Sequence, residues 1–225
     1  MIDIHSHILP NVDDGSQSVE ESRKILEMLQ DQGVETVVAT PHFYPRRDRV
    51  EAFLERRAKA AAQLDAPVIL GAEIAYFPGI GNSKELGGLT LGNSRLLLVE
   101  MPYGSWTEQM VLELCDMATQ TGLSPVLAHV DRYPRQIRRW SKALLASGVY
   151  FQCNAESLLR WKSRGFVLRQ LKQGNIHFLG SDSHNLTNRK PCMAEAAAVI
   201  TKKLGSEALK NLTAFTKSAL ENPAR

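Results

Sequence analysis

The sequence is poor in cysteine and lacks long apolar runs. Cys115, Cys153 and Cys192 are its three cysteines, and no two of them have CxxC spacing. An odd, scattered set argues against a disulfide framework and against a thiolate zinc ribbon. The chain opens Met1-Ile2-Asp3-Ile4-His5, without a basic region followed by an apolar one, and its apolar runs fall far short of the roughly 20 residues that span a bilayer. These absences predict a soluble, cytoplasmic protein.

The chain has 225 residues, of which 44% are hydrophobic, so it can bury one sizeable core. Single α/β barrels commonly have about 200–250 residues, and we therefore expect one domain over residues 1–225. The net charge of +3 is too small to indicate nucleic-acid binding. One local basic group is either a solvated surface or an attractant for an anionic substrate: Arg46, Arg47, Arg49, Arg56 and Arg57.

Short aliphatic runs alternate with longer helical patterns. Seven strands are predicted, at about 1–5, 35–40, 67–73, 96–101, 125–129, 149–154 and 176–181. Seven helices are predicted, at about 18–32, 49–64, 106–121, 136–147, 156–173, 191–203 and 206–220. Ser18 and Glu21 predict a capping box for the first helix, and Gly33 ends it. This alternation predicts a parallel sheet closed, or nearly closed, into a barrel. The Gly-rich segment from Tyr76 to Arg95 is predicted to form a loop over one mouth.

Metal-ligand residue types recur at the predicted strand ends. Because all strand ends of a parallel barrel open on one face, these side chains are expected to converge there. A carboxylate directly after an apolar run is costly unless it is paired or bound to a metal. The set has nine members, which include five of the six histidines and one of two adjacent aspartates. They are His5, His7, Asp13 or Asp14, His42, Glu73, Glu100, His129, Asp182 and His184.

Imidazole and carboxylate donors fit Mn²⁺, Zn²⁺ or Fe²⁺. Nine donors exceed the needs of one ion, so two or three divalent ions are expected. Four carboxylates leave a three-ion site net positive, which suits an anionic substrate and above all a phosphate ester. Arg132 lies three residues after His129, and Arg189 lies five residues after His184. Both are either phosphate-binding groups or surface arginines of their loops.

These residues resemble the PHP (polymerase and histidinol phosphatase) superfamily. The resemblance covers essentially the whole chain, and within the superfamily it is strongest to the bacterial manganese-dependent protein-tyrosine phosphatases of capsule and exopolysaccharide loci. The motifs that carry it are His5-Ser6-His7, Val12-Asp13-Asp14-Gly15, Thr40-Pro41-His42, Gly71-Ala72-Glu73-Ile74, Val99-Glu100-Met101-Pro102, Leu127-Ala128-His129-Val130-Asp131-Arg132-Tyr133, Ser181-Asp182-Ser183-His184-Asn185-Leu186, Arg189 and Asn222-Pro223.

The resemblance implies a distorted (β/α)7 barrel of the PHP type with a trinuclear metal site at the C-terminal mouth of the strands. It implies that Asp14, rather than Asp13, is a ligand together with the eight other residues named above. It also implies that Arg132 and Arg189 bind the phosphate. The expected substrate is a phosphotyrosine protein, in particular the C-terminal tail of a membrane-associated tyrosine autokinase that controls polysaccharide synthesis.

The expected chemistry is attack on phosphorus by a hydroxide that bridges two metal ions. Aromatic residues on the same loops either frame the substrate ring or pack the barrel mouth: Phe43, Tyr44, Tyr103, Trp106 and Tyr133. A cysteine-dependent phosphatase needs Arg six residues after its cysteine, and those positions hold Thr121, Leu159 and Ala198. A histidinol-phosphate or other small-molecule phosphatase is the main alternative. A polymerase-associated nuclease would need an attached polymerase or a basic groove, and the sequence indicates neither. A metal-binding regulatory module without turnover would not need the two arginines.

Overall fold

The computed structural model describes residues 1–82 and 84–222, so Pro223 of the last motif lies outside the described residues. All strand pairs are parallel. The strands are β1 (Ile2–Ser6), β2 (Thr36–Ala39), β3 (His42–Phe43), β4 (Ile69–Leu70), β5 (Glu73–Ala75), β6 (Leu96–Glu100), β7 (Ser124–Leu127), β8 (Tyr150–Asn154) and β9 (Phe178–Gly180).

Eight α-helices of the described residues cover the outside of the sheet. They are α1 (Val19–Asp31), α2 (Val50–Ala61), α3 (Glu108–Gln120), α4 (Pro134–Ala146), α5 (Ala155–Leu159), α6 (Trp161–Lys172), α7 (Met193–Leu204) and α8 (Ser206–Glu221). Short 3₁₀ helices span Ile80–Asn82, Lys84–Leu89 and Val130–Arg132. Among the described residues, no helix is long and apolar enough to cross a membrane.

The sheet curls until its ends meet, which confirms the predicted distorted barrel. The strand order is β1-β2-β4 in one part and β3-β5-β6-β7-β8-β9 in the other. Backbone hydrogen bonds join the two parts, for example from Gly92 N, in the segment before β6, to Leu70 O of β4 at 2.8 Å. At the other junction, His7 N donates to Ser183 O at 2.9 Å beside β9. The chain therefore surrounds one apolar interior.

Side chains of the strands alternate between that interior and the helices. In β6, Leu96 and Leu98 belong to the inner apolar cluster, whereas Leu97 and Val99 pack in the larger cluster under the helices. This alternation places Glu100 on the inner side, at the C-terminal end of its strand. A run of apolar residues thus ends in a carboxylate at the barrel mouth.

The structure differs from the sequence prediction in four local features. The short strand β3, which follows β2, was not predicted. The predicted strand at 67–73 is two strands, β4 and β5, so Glu73 begins β5 rather than ending a strand. The predicted helix at 156–173 is divided into α5 and α6, because Arg160 has extended backbone angles (φ −79°, ψ 123°). The capping box of α1 is half formed: Ser18 Oγ accepts from Glu21 N, but the Glu21 carboxylate accepts from Gln17 N.

The structure also describes the Gly-rich segment and the local group of arginines noted in the sequence. The segment from Tyr76 to Arg95 contains two 3₁₀ helices, and its Leu91 is buried in the inner cluster, where its N–H donates to Leu96 O at the start of β6. Arg57, one of the five local arginines, donates to the carbonyl oxygens of Gly71 and Gly88. This arginine holds loops together rather than standing free in solvent.

Candidate metal centre

Glu73 lies at the centre of the predicted ligands, with its side chain 1% exposed. Its Oε1 lies 2.9 Å from Nε2 of His129. Its Oε2 lies 3.1 Å from Nδ1 of His42 and 3.2 Å from Nε2 of both His5 and His7. Burial would raise the pKa of Glu73, but the surrounding histidines lower it well below its usual range. The interior therefore contains an ionised carboxylate ringed by imidazoles.

Asp182 presents a second carboxylate to the same histidines. Its Oδ1 lies 3.5 Å from Nε2 of His7 and 3.6 Å from Nε2 of His5. Burial would raise the pKa of Asp182, but the two histidines lower it. Asp182 and His129 both have left-handed backbone conformations, with φ of 51° and 34°. Such strain in non-glycine residues occurs often at functional sites, where the surrounding structure maintains it.

Asp14 and Glu100 extend the cluster. Oδ1 of Asp14 lies 3.5 Å from Nε2 of His42 and 3.6 Å from Nε2 of His184. Oε1 of Glu100 lies 3.4 Å from Nε2 of His129. The structure therefore brings all nine predicted ligands to one end of the barrel. Three groups have donor atoms within 4.8 Å of one another: His5, His7 and Glu73; His42, Glu73 and Glu100; and His7, Asp14, His42 and His184.

Unpartnered nitrogen atoms show that these donors fit cations. Nδ1 of His42 and Nε2 of His184 are buried and have no hydrogen-bond partner among the described residues. Nδ1 of His42 is nevertheless 3.1 Å from Glu73, so the two groups are close without being aligned for a hydrogen bond. Imidazole nitrogen and carboxylate oxygen are the usual donors to Mn²⁺, Zn²⁺ and Fe²⁺. The residues present therefore fit a divalent metal centre.

Burial and neighbouring carboxylates together set the pKa values of His7, His129 and His184. Burial would lower the pKa of His7, but Asp13 raises it to about 10. Burial likewise opposes protonation of His129, but the hydrogen bonds that its ring donates to Glu100 and Glu73 raise its pKa to about 9. Burial lowers the pKa of His184 to about 3. A cation that binds the first two imidazoles must displace their protons, so its affinity depends on pH.

The structure distinguishes Asp13 from Asp14. Oδ2 of Asp13 lies 2.6 Å from Nδ1 of His7 and accepts from the backbone N–H of His42 at 2.8 Å. A carboxylate on the far nitrogen of a ligand imidazole fixes its orientation and tautomer. Asp13 thus supports the ring of His7, whereas Asp14 faces the other donors.

Two supporting residues on β8 were missed by the sequence analysis. Oε1 of Gln152 accepts from His129 N at 2.6 Å and lies 3.2 Å from Nδ1 of His5. Nδ2 of Asn154 donates to Oδ2 of Asp182 at 2.7 Å. Both side chains hold proposed ligands in place. The available signal was a pair of amides at alternate positions of a strand that is otherwise apolar.

The glycines of the motifs allow this close packing. A Cβ atom at Gly180 would lie 2.6 Å from Cβ of His5, and one at Gly15 would lie 2.1 Å from the carbonyl oxygen of His7. Real Cβ atoms do not approach other atoms so closely. Glycine at these two positions therefore lets neighbouring backbone support the two histidines.

Both predicted phosphate-binding arginines converge on Asp182. Nη2 of Arg132 donates to Oδ2, and Nη2 of Arg189 donates to Oδ1 at 2.8 Å. Arg132 also donates through Nη1 to the hydroxyl of Tyr103 at 2.9 Å. The two guanidinium groups are partly exposed at the edge of the cluster. They can therefore reach a ligand that enters the mouth.

The structure divides the five aromatic candidates. Phe43, Trp106 and Tyr133 are buried in the core, and the last two donate hydrogen bonds to loop carbonyl groups. Packing at the barrel mouth, one of the two sequence interpretations, accounts for these three. Tyr44 is partly buried, whereas Tyr103 is 68% exposed. A substrate-framing role stays a prediction for these two residues.

A parallel barrel with an imidazole and carboxylate cluster at its strand ends is typical of metal-dependent hydrolases. Comparison with known proteins identifies the family within this class. Residues 1–221 match the family model described as "Capsular polysaccharide synthesis, CpsB/CapC". The chain belongs to the CpsB/CapC family, and the family predicted from its motifs is confirmed.

Named relatives cover nearly the whole chain. The tyrosine-protein phosphatase CpsB of Streptococcus pneumoniae is 34% identical over 94% of this chain and 94% of its own length. The tyrosine-protein phosphatase YwqE of Bacillus subtilis is 31% identical over 99% of this chain and 92% of its own length. One solved structure, from a study of YwqE and CpsB as metal-dependent tyrosine phosphatases, aligns with a TM-score of 0.83 and 29% identity. That alignment covers 99% of this chain and 95% of the other.

Proposed function

We propose that this chain is a metal-dependent protein-tyrosine phosphatase of capsule or exopolysaccharide synthesis. The observation that carries the proposal is the convergence of two arginines on a carboxylate of a nine-donor cluster. The related CpsB and YwqE proteins, at 34% and 31% identity over most of the chain, are named tyrosine-protein phosphatases. Residues 1–225 are proposed to act as one domain, and a cytoplasmic location stays part of the proposal.

The proposed centre contains two or three divalent ions, with Mn²⁺ as the first choice and Fe²⁺ or Zn²⁺ as alternatives. Three overlapping donor groups support more than one ion, and the absence of cysteine from the described cluster favours harder cations than a thiolate site would. When bound, such ions lower the pKa of a water molecule and polarise phosphoryl oxygens. The proposed ligands are His5, His7, Asp14, His42, Glu73, Glu100, His129, Asp182 and His184.

The arginines are proposed to orient the phosphoryl group. Each guanidinium offers several N–H donors in a planar fork that matches two phosphate oxygens. Because Arg132 and Arg189 both reach Asp182, their donors point at the same edge of the cluster. They stabilise the charge that develops on the non-bridging oxygens. The leaving phenolate is a weak enough base that it needs little help from a general acid.

The proposed substrate is phosphotyrosine in a protein, and its suggested source is the tail of a tyrosine autokinase. A histidinol phosphate or another small phosphomonoester is the second candidate, because the cluster and the arginines recognise the phosphoryl group itself. A regulatory module without turnover is a weaker candidate, since binding a metal alone would not require arginines beside the donors.

Steady-state hydrolysis of a phosphotyrosine peptide and of histidinol phosphate by the same Mn²⁺-loaded preparation tests the proposal. We expect the peptide to have the higher kcat/KM by at least roughly tenfold, because contacts outside the phosphoryl group add to binding. A higher value for histidinol phosphate would assign the chain to the second candidate. Failure to hydrolyse either ester would favour the regulatory module.

A further inference from the structure

Two surface cavities share Arg132 as part of their walls. The first, of about 530 Å³, lies between α4 and the loop after β6, and its walls include Tyr103, Arg135 and Arg139. The second, of about 650 Å³, lies beside α5 and the start of α6, and its walls include Arg160. If Arg132 holds the phosphoryl group of a substrate, the rest of that substrate could therefore enter a cavity on each side of the phosphoryl group.

Basic side chains dominate both cavities. Their basic lining residues are Arg132, Arg135, Arg139, Arg160, Lys162 and Arg189. Two acidic residues line the second cavity: Glu156 is paired with Arg160 at 2.6 Å, and Asp131 accepts from Asn154 N at 2.9 Å. Among the described residues lining the first cavity, none is acidic. Since the whole chain has a net charge of only +3, positive charge is concentrated here.

A third cavity, beside the start of α2, lacks this imbalance. It has a volume of about 640 Å³, and two basic residues, Arg46 and Arg49, are matched by two acidic residues, Asp48 and Glu51. The local arginines in the segment before α2 therefore do not form a comparable anion-attracting surface. The charge asymmetry is a feature of the two cavities that meet at Arg132.

The second cavity also has an exposed indole. Trp161 is 80% exposed, and Nζ of Lys162 lies 5.5 Å from its ring centroid. Large exposed aromatic side chains at the wall of a cavity are typical of binding surfaces, because their apolar faces gain contact area when a partner covers them. An apolar surface beside basic groups suits a peptide better than it suits a small, fully charged phosphate ester.

We propose that the two cavities form one groove for an extended peptide that has acidic residues on both sides of its phosphotyrosine. The inference rests on the proposed phosphatase function and specifies its substrate class. The guanidinium groups of Arg135 and Arg139 attract carboxylates on one side of the phosphotyrosine, and Lys162 attracts them on the other. These exposed pairs act mainly through long-range attraction, which accelerates association and weakens with salt.

The test uses Mn²⁺-loaded enzyme and three phosphotyrosine peptides. The first has glutamates before the phosphotyrosine, the second has glutamates after it, and the third has glutamines on both sides. p-Nitrophenyl phosphate serves as a substrate without flanks. We expect Arg135→Gln/Arg139→Gln and Lys162→Gln each to lower kcat/KM by roughly 3- to 10-fold for one glutamate peptide, mainly through KM. The two variants should affect opposite peptides. Arg138→Gln on α4 and Arg169→Gln on α6 are matched controls, because neither residue is among those that line these two cavities.

The outcomes separate the groove from the phosphatase function. A loss on one glutamate peptide for each variant, with unchanged hydrolysis of p-nitrophenyl phosphate and of the glutamine peptide, would support the groove and preserve the proposed activity. Unchanged hydrolysis of both glutamate peptides by the two variants would overturn the groove. Equal losses on glutamine and glutamate peptides would overturn it, because charge would then have no part in recognition. Equal kcat/KM for all three peptides with the wild-type enzyme at low salt would also overturn it. Only failure of the wild-type enzyme on every phosphoester would refute the phosphatase function itself.

Discussion

Nδ1 of His7 lies 2.6 Å from Oδ2 of Asp13, with the other ring nitrogen of His7 facing Glu73. The carboxylate accepts from one nitrogen and so directs the second toward the proposed ions. Burial would raise the pKa of Asp13, but the charge of His7 lowers it. Asp13 is therefore an ionised positioning residue behind a proposed ligand.

Replacing Asp13 by Asn should lower metal affinity by roughly 10- to 100-fold while the protein stays folded. The amide can still accept a hydrogen bond, but it lacks the charge that makes the imidazole a better donor. Calorimetric titration of the metal-free variant with Mn²⁺ measures the change in metal affinity. Asp65→Asn is a matched control, because that exposed aspartate pairs with Arg23. Wild-type affinity in Asp13→Asn would mean that Asp13 serves the loop alone.

The arginine variants separate phosphate binding from metal binding. Arg132→Ala and Arg189→Ala should each cost about 2–4 kcal/mol of transition-state stabilisation, on the order of 30- to 1,000-fold in rate. Metal content should persist, because a guanidinium has no free lone pair for a cation and Asn154 still holds Asp182. Lysine should restore only part of the rate. Near-normal phosphotyrosine turnover in both alanine variants would show that these arginines are surface groups.

His177 provides a test outside the cluster. It precedes β9 and bonds with the backbone of Phe151, so His177→Gln should leave metal content unchanged. Burial lowers the pKa of His177 from 6.5 to about 4. Because the fold favours the neutral ring, its contribution to stability is complete above about pH 6.5 and is lost as the pH falls toward 4. Denaturant unfolding across this range should show a smaller acid loss for the variant, whereas a missing metal would mean that the strand register is wrong.

The cysteines are predicted to have no part in the chemistry. Burial raises the pKa of the Cys153 thiol well above its usual range and that of Cys192 to about 12, so neither forms a thiolate readily. The sequence favours a buried packing role for all three cysteines, and this prediction is wrong for Cys115, which is only partly buried. A variant with Ala at all three positions should be less stable, because cavities remain in the core. The folded fraction should keep its specific activity, and a trapped phosphocysteine would contradict the mechanism.

The positions of strands and ligands were predictable because they depend on local pattern. Apolar runs alternate with helical periodicity, and parallel strand ends must share a face, so convergence of residues such as His5, Glu100 and His129 followed from sequence. The division of the third strand was not predictable. Glu73 pairs across from His42 and Leu98 only after the chain passes from β4 to β5, and this change depends on neighbouring strands rather than on residues 67–73.

The local sequence pattern also could not predict which residues support the ligands or which side chains are exposed. Nothing in the Asp13-Asp14 pair itself shows which carboxylate faces His7, since both are short acids in one loop. The burial of Trp106 and the exposure of Trp161 likewise depend on tertiary packing. Family resemblance selected Asp14 as the ligand, and the contacts of Asp13 now give a physical reason for that choice.

The most direct test of the central claim measures bound metal and phosphotyrosine hydrolysis on the same folded samples as Mn²⁺ is returned to chelated enzyme. We predict that activity is lost on chelation and returns as two or three ions bind per chain. His42→Ala should lose metal and activity together, because its imidazole contributes to two of the three donor groups. Full hydrolysis by rigorously metal-free protein would contradict a metal-dependent mechanism.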